Sequence, residues 1–293
     1  MKAELDCLAC IGVQAVRAGR VASDDPDVQR RILNETLLRV PAMDMNESPA
    51  SLSLAAYELA AALSGNADPY RELKYEQNRQ ALLMEPELRA IVRDSADPLD
   101  AALHLSAAGN IIDLGTMGET DIDVHAAVET VMRERFAVDH TAAFRESLAR
   151  CKDLLFLLDN AGEIVFDKIL IEELLKHTSV TAVVKAGPII NDALVADAEQ
   201  VGLTKLCEVI DNGGAFVGSP LNRVPERFIE RMRQADVVVG KGQGNYETVD
   251  DFPGDVFLIL RAKCHCIAAH MGVQFGQVAL ISTRIRSATA AGK

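Results

Sequence analysis

The chain has 293 residues, 49% of them apolar and 25% charged, with a formal net charge of −13. That length buries one large core or two modest ones, and the apolar share with no long Pro/Gly/Ser-rich stretch excludes a disordered chain. A strongly acidic surface offers no attractive field to nucleic acid or to an anionic membrane, so small ligands and cations are the expected partners.

The opening, MKAELDCLAC, carries charges at positions 2, 4 and 6 and lacks the apolar run of a secretory leader. No apolar run reaches the roughly 18 to 20 residues of a membrane span. Six cysteines without a secretion signal predict reduced thiols in a cytoplasmic protein. Up to about residue 145 the pattern is helical. DVQRRILNETLLRV (27 to 40) spaces Val28, Ile32, Leu33, Leu37 and Leu38 at helical intervals, and SLSLAAYELAAALSG (51 to 65) ends on a glycine cap. DPYRELKYEQNRQALLM (68 to 84) and DPLDAALHLSAAGN (97 to 110) each open on Asp-Pro, a cap followed by a first turn.

Beyond residue 150 strand-like runs alternate with helical ones: LLFLLD (154 to 159), SVTAVVKAG (179 to 187), CEVIDNG (207 to 213), DVVVGKG (236 to 242) and VFLILRAKC (256 to 264). Continuously apolar strands of this kind suit a parallel sheet covered on both faces. The expected architecture is therefore an N-terminal all-helical domain, residues 1 to 145, followed by a Rossmann-like, doubly wound α/β domain, residues 146 to 293, with a mainly parallel sheet.

Each of the five runs ends in polar residues: Asp159-Asn160, Lys185, Asp211-Asn212, Lys241 and Lys263. In open parallel sheets the ligand crevice lies beyond the carboxyl ends of the strands, so these ends converge on one site. Asp159, Asn160 and Asp192 offer hard oxygen ligands suited to Mg²⁺ or Mn²⁺. Lys185, Lys241 and Lys263 add positive charge, and the turn GKGQGN (240 to 245) brings backbone N–H groups toward an anion. Metal, lysines and a glycine-rich turn together describe a phosphate site. Taken alone, Asp-Asn after a strand also serves as a helix cap, and one glycine-rich turn specifies little.

DNAGEIVFD, KAGPIINDA, GKGQGNYET and RAKC, in this order behind DCLAC and AAGNIIDLG, make the chain similar to the DUF89 family of metal-dependent damage-control phosphatases, in the branch found in bacteria and archaea. The resemblance spans nearly the whole chain. It implies a helical domain on a Rossmann-like domain, a divalent metal (Mg²⁺, Mn²⁺, Co²⁺ or Ni²⁺) at the strand ends, and hydrolysis of small phosphometabolites such as sugar phosphates. Asp159, Asn160 and Asp192 match the family's metal ligands, and Asp159, Asn160 and Lys263 its catalytic positions. Glu163 resembles a substrate-contacting acid that other branches carry one residue later. Gly244 and Asn245 fall in the substrate loop, where Lys185 and Lys241 would also bind phosphate. Arg261-Ala262-Lys263-Cys264 departs from the Arg-Thr-x-Lys of some branches, which leaves the substrate open.

The chemistry implied is metal-assisted phosphoryl transfer, with either water or the Asp159 carboxylate as nucleophile. Two other readings stand beside it: a nucleotide-cofactor enzyme such as a methyltransferase or dehydrogenase, weakened because DNAGE replaces G-x-G-x-x-G after the first strand, and a non-catalytic binder of a phosphometabolite or metal. Cys7 and Cys10 have C-x-x-C spacing and, with Cys264 and its neighbours His265 and Cys266, would form a second metal site or serve as buried structural thiols. Tyr70, Lys74 and Asn78 share one helical face, either over the crevice or in solvent. Asp113 is a further candidate for the cleft. The six histidines show no metal-ligand spacing. Nothing in the sequence sets the oligomeric state.

Overall fold

Asp25 accepts from the Asp27 N–H and Ser48 from the Ser51 N–H, and these caps, each followed by proline, start α2 (Pro26–Arg39) and α3 (Pro49–Ser64). With α1 (Leu5–Ala22) they meet around Ala18, Ile32 and Ala60. The protein is described by a computed structural model covering residues 1–109 and 134–286. Asn110, Asp113 and His125 lie outside the described residues.

Gly65 caps α3 in the left-handed conformation at φ 71°, as the sequence predicts. Asp97 caps α5 (Pro98–Gly109), its carboxylate accepting from the Asp100 N–H. The Asp68-Pro69 pair does not start its helix. α4 runs Arg71–Asp94, and Asp68 instead accepts a hydrogen bond from the Lys74 ammonium. α4 also continues through Pro86, past the expected end at residue 84, because its apolar side packs along a later helix.

A short α6 (Thr141–Leu148) leads into β1 (Asp153–Leu157), α7 (Glu163–Leu174), β2 (Ser179–Val184), α8 (Val195–Gln200) and β3 (Glu208–Asp211). There follow α9 (Glu226–Gln234), β4 (Val237–Lys241), α10 (Gly242–Val249), β5 (Val256–Arg261), α11 (His265–Met271) and β6 (Val278–Ser282). The sheet order is β3-β2-β1-β4-β5-β6, with the first five parallel. β6, an apolar run not anticipated from the sequence, is antiparallel to β5 at the edge. This is the expected Rossmann-like α/β fold with N-terminal helices. Among the described residues no helix is long and apolar enough to cross a membrane.

Alternation along the strands divides the core. Leu154, Phe156, Val237, Val239, Phe257 and Ile259 face α4, α5 and α7, while Leu155, Leu157, Val238 and Leu258 face α9, α10 and α11. The first core joins helices before residue 110 to every strand pair beneath them. α7 is not amphipathic: ten of its twelve residues are buried, Glu163, Asp167 and Lys168 among them. The reason is a third layer: α4 and α5 cover its outer side, and a Cβ on Gly109 would come within 3.1 Å of Phe166. Its charges are paired inside, Lys168 with Glu85 at 2.5 Å and Asp167 with Lys241 at 2.7 Å.

Candidate active site

The sheet order reverses direction between β1 and β4, and the crevice of an open α/β sheet opens at such a switch point. Asp159 follows β1 there and Gly242 follows β4. The backbone after β1 is laced to residues 191–193: Ala161 N–H donates to Asn191 O at 2.8 Å and Ala193 N–H to Asp159 O at 2.8 Å. This brings Asp192 beside Asn160, paired in an isolated antiparallel bridge. Ile190, at φ 43°, is the one non-glycine with positive φ among the described residues. A β-branched side chain is strained there, and such strain persists where the surroundings fix a functional loop.

The amide of Asn160 donates to Asp159 Oδ2 at 3.1 Å and to Glu163 Oε1 at 2.8 Å, while its Oδ1 accepts no hydrogen bond among the described residues. Asp159 is buried. Burial, then the charges of Glu163 and Asp192, push its pKa well above the ordinary carboxylate value, against Lys263 and Lys185. Asp192 is 2% exposed, and burial pushes it up to about 6 despite the Lys185 ammonium. Among the described residues its Oδ2 has no hydrogen-bond partner and lies 3.5 Å from that ammonium. Two buried carboxylates that both hold protons more tightly than usual, a spare amide oxygen and an orphaned carboxylate oxygen fit a hard divalent cation. Among the described residues no three His, Cys, Asp or Glu side chains already meet in metal-binding geometry, so the set is two carboxylates and one amide.

The lysines divide. Lys263 is exposed on the cleft and its ammonium has no partner among the described residues. Lys185 is buried, donating to Gly218 O at 2.8 Å beside Asp192. Lys241, expected to contact substrate, turns into the core instead: its ammonium donates to Asp167 at 2.7 Å and Ser106 O at 2.8 Å, 3.8 Å from Glu163. It shares the strand face of Val237 and Val239, which points to α5 and α7. Asn245 is likewise fully buried, donating to Lys241 O at 2.8 Å and Leu158 O at 3.1 Å, so it ties the ends of β1 and β4 together. Gly244 does line the cleft. Asn78 holds the opposite side. Its Oδ1 accepts from the Gly162 N–H at 2.7 Å at the start of α7, and with Lys74 it is buried, so that face of α4 is neither solvated nor a substrate surface.

The cleft above these groups has a volume of about 750 Å³. α1 and α3 roof it with Cys10, Gln14, Arg17 and Tyr57, none of them singled out by local sequence pattern except Cys10. Cys7, Cys264 and Cys266 line the same wall, so the two cysteine segments do converge as expected. All six thiols are free. Cys7 accepts from the Glu4 N–H and Cys264 from the Ile267 N–H, each capping a helix start. Burial, then Cys7, pushes Cys266 up to about 12, and burial also raises Cys10 and Cys264, which disfavours the thiolate at these three positions.

Comparison with known proteins points the same way. Residues 3–278 match the damage-control phosphatase ARMT1-like domain. A damage-control phosphatase of Pyrococcus horikoshii is 34% identical over 98% of this chain and 100% of its own. One of Archaeoglobus fulgidus is 30% identical over 95% and 98%. The crystal structure of a DUF89 family protein from Pyrococcus horikoshii superposes with a TM-score of 0.88 at 32% identity, covering 97% of this chain and 99% of that one.

Proposed function

The chain belongs to the damage-control phosphatase ARMT1-like family, and we propose that it is a divalent-metal-dependent phosphatase of small phosphorylated metabolites, with its site at Asp159, Asn160, Asp192 and Lys263. The observation that carries this reading is the pair of buried carboxylates Asp159 and Asp192 on one cleft at the sheet's switch point, with Lys263, whose ammonium has no partner among the described residues, on the same lining. A divalent cation held by Asp159, Asn160 and Asp192 would supply Lewis-acid charge to a phosphoryl oxygen.

The remaining work falls to side chains. Lys263 takes the phosphoryl oxygens from the solvent side and offsets the charge they gain during transfer. Glu163 holds the Asn160 amide, which fixes the Asp159 carboxylate toward the cleft. Asp159 either takes the proton of a water that attacks phosphorus as the ester oxygen leaves, or attacks phosphorus itself with loss of the ester oxygen, the aspartyl phosphate then being cleaved by water; the leaving oxygen takes its proton from solvent. Lys185 balances Asp192 from below, and Lys241 and Asp167 hold the base of Glu163 in place.

The test is phosphate release from p-nitrophenyl phosphate and a panel of sugar phosphates, with and without Mg²⁺, Mn²⁺, Co²⁺ or Ni²⁺. Release should require a metal and fall by at least about a hundredfold in Asp159→Asn and Asp192→Ala. Metal-induced thermal stabilisation should disappear in the same variants, independently of turnover. Wild-type protein that binds metal but releases no phosphate from any substrate would overturn the assignment.

A further inference from the structure

Arg17 is the one arginine that lines the cleft, and it makes no hydrogen bond or ion pair among the described residues. Arg20, Arg30 and Arg31 are likewise unpaired among the described residues, and what sets the exposed Arg17 apart is its place on the cleft. It lies on the same stripe of α1 as Cys10 and Gln14, which also face the cleft. Seven residues separate it from Cys10 and ten from Cys7, about 10 and 15 Å along a helix. Cys7 stands at the Cys264–Cys266 wall, next to Lys263, so Arg17 sits at the opposite end. Tyr57 of α3 stands beside it, half-buried, with a hydroxyl that bonds nothing among the described residues. The phenol of Tyr57 feels both the Asp192 and the Arg17 charges, and Asp159 feels Lys263. The cleft is thus lined by two cations, Lys263 beside the Cys264–Cys266 wall and Arg17 about two to three turns further along α1, with Asp159 and Asp192 on the same lining. Tyr57 and Ile190 also line a smaller adjoining cavity of about 200 Å³, so the Arg17 end has space beyond it.

We propose that Arg17, with the Tyr57 hydroxyl, is a second anion-binding pole, and that the preferred substrates are phosphomonoesters bearing a second phosphate or carboxylate at the far end of the molecule. The inference rests on the phosphatase reading above. A planar guanidinium with all its donors free suits bidentate capture of phosphate or carboxylate, and the open cleft accommodates more than one small phosphorylated group. The second anion binds in ground and transition state alike, so its loss appears in KM.

The experiment compares glucose 1-phosphate with glucose 1,6-bisphosphate in wild type, Arg17→Ala, Arg17→Lys and Tyr57→Phe. Wild type should favour the bisphosphate in kcat/KM. Arg17→Ala should cut that preference by tenfold or more, through KM, with Arg17→Lys restoring part of it and Tyr57→Phe showing a smaller loss. Arg17 is exposed and has no partner among the described residues, so its variants should keep the wild-type melting temperature. A bisphosphate preference that is absent in wild type, or unchanged in Arg17→Ala, overturns the proposal. If wild type turns over neither ester with any metal, the phosphatase reading fails separately. Calorimetric binding of the bisphosphate to metal-free protein then decides: equal affinity in wild type and Arg17→Ala overturns the pole, and a tenfold loss supports it.

Discussion

The Cα of Gly242 lies directly against the Asp159 carboxylate: a Cβ built there would stand 1.8 Å from Oδ2, and the residue sits at φ 76°. The end of β4 therefore shapes the space in which the end of β1 holds its carboxylate. Gly242→Ala must move one or the other, and its backbone conformation is also unfavourable for alanine. The expected result is a loss of about a hundredfold in kcat/KM, since a displacement near 1 Å suffices for that, with a stability cost of about 1–3 kcal/mol. Steady-state phosphate release and urea unfolding measure the two. Wild-type turnover in the variant would show that the close approach does not position Asp159.

Lys241 and Asp167 are both completely buried and pair at 2.7 Å. Burial works against the Lys241 charge, yet Asp167 and Glu163 hold its pKa above the ordinary lysine value. Removing one partner strands the other. Lys241→Met or Asp167→Leu should each cost about 3–5 kcal/mol, and the double variant less than the sum, because it removes both charges. Equilibrium unfolding of the four proteins closes the cycle, and strict additivity would mean the pair is not coupled.

These cases mark what the sequence makes legible. The five parallel strands are readable because a strand covered on both faces must be apolar throughout, and the switch-point rule then assembles Asp159, Asn160 and Asp192. The direction of Lys241 is harder: as the last residue of β4 it shares a face with Val237 and Val239, but its partner comes from α7 and no spacing announces it. Asn245 looks like a loop contact and is spent on main-chain carbonyls of β1 and β4. Arg17 and Tyr57 reach the cleft from helices more than a hundred residues away, whose placement over the sheet depends on tertiary packing alone. Asp167 stands inside DNAGEIVFD, where its helical spacing from Glu163 was the available signal.

Asn78 reaches across from α4 to the turn that begins α7. Its amide joins three groups, accepting from Gly162 N–H and donating to Asp197 and Gln200 at 2.8 Å each. Asn78→Ala leaves a buried N–H and a buried carboxylate short of partners, a cost of about 1–3 kcal/mol. Because Gly162 precedes Glu163, which holds the Asn160 amide, kcat should fall about tenfold with KM little changed. Asn78→Asp should be worse, placing a second buried carboxylate beside Asp197. Kinetics of both variants with one good substrate test the chain of contacts; an effect on stability without one on kcat would confine Asn78 to the scaffold.

Glu247 lines the cleft on α10, 5% exposed, bonded by the Gln243 amide at 2.7 Å. Burial pushes its pKa up to about 7, from an ordinary 4.5. The folded protein thus holds this proton more tightly than the unfolded chain. Between pH 4.5 and 7 the native state binds more protons, so stability falls as pH rises, and the full penalty stands above pH 7. At 1.36 kcal/mol per pH unit the difference amounts to about 3 kcal/mol. Glu247→Gln keeps an acceptor for Gln243 and never ionises. Metal-free wild type and variant should therefore melt alike near pH 4, where both carry a neutral side chain, and the variant should be the more stable by up to about 3 kcal/mol at pH 8. Comparing the two proteins at each pH cancels the titration of Asp159 and Asp192, which is common to both. A constant difference across the range would mean that Glu247 stays ionised in the fold and that the carboxylate is better solvated than its burial indicates.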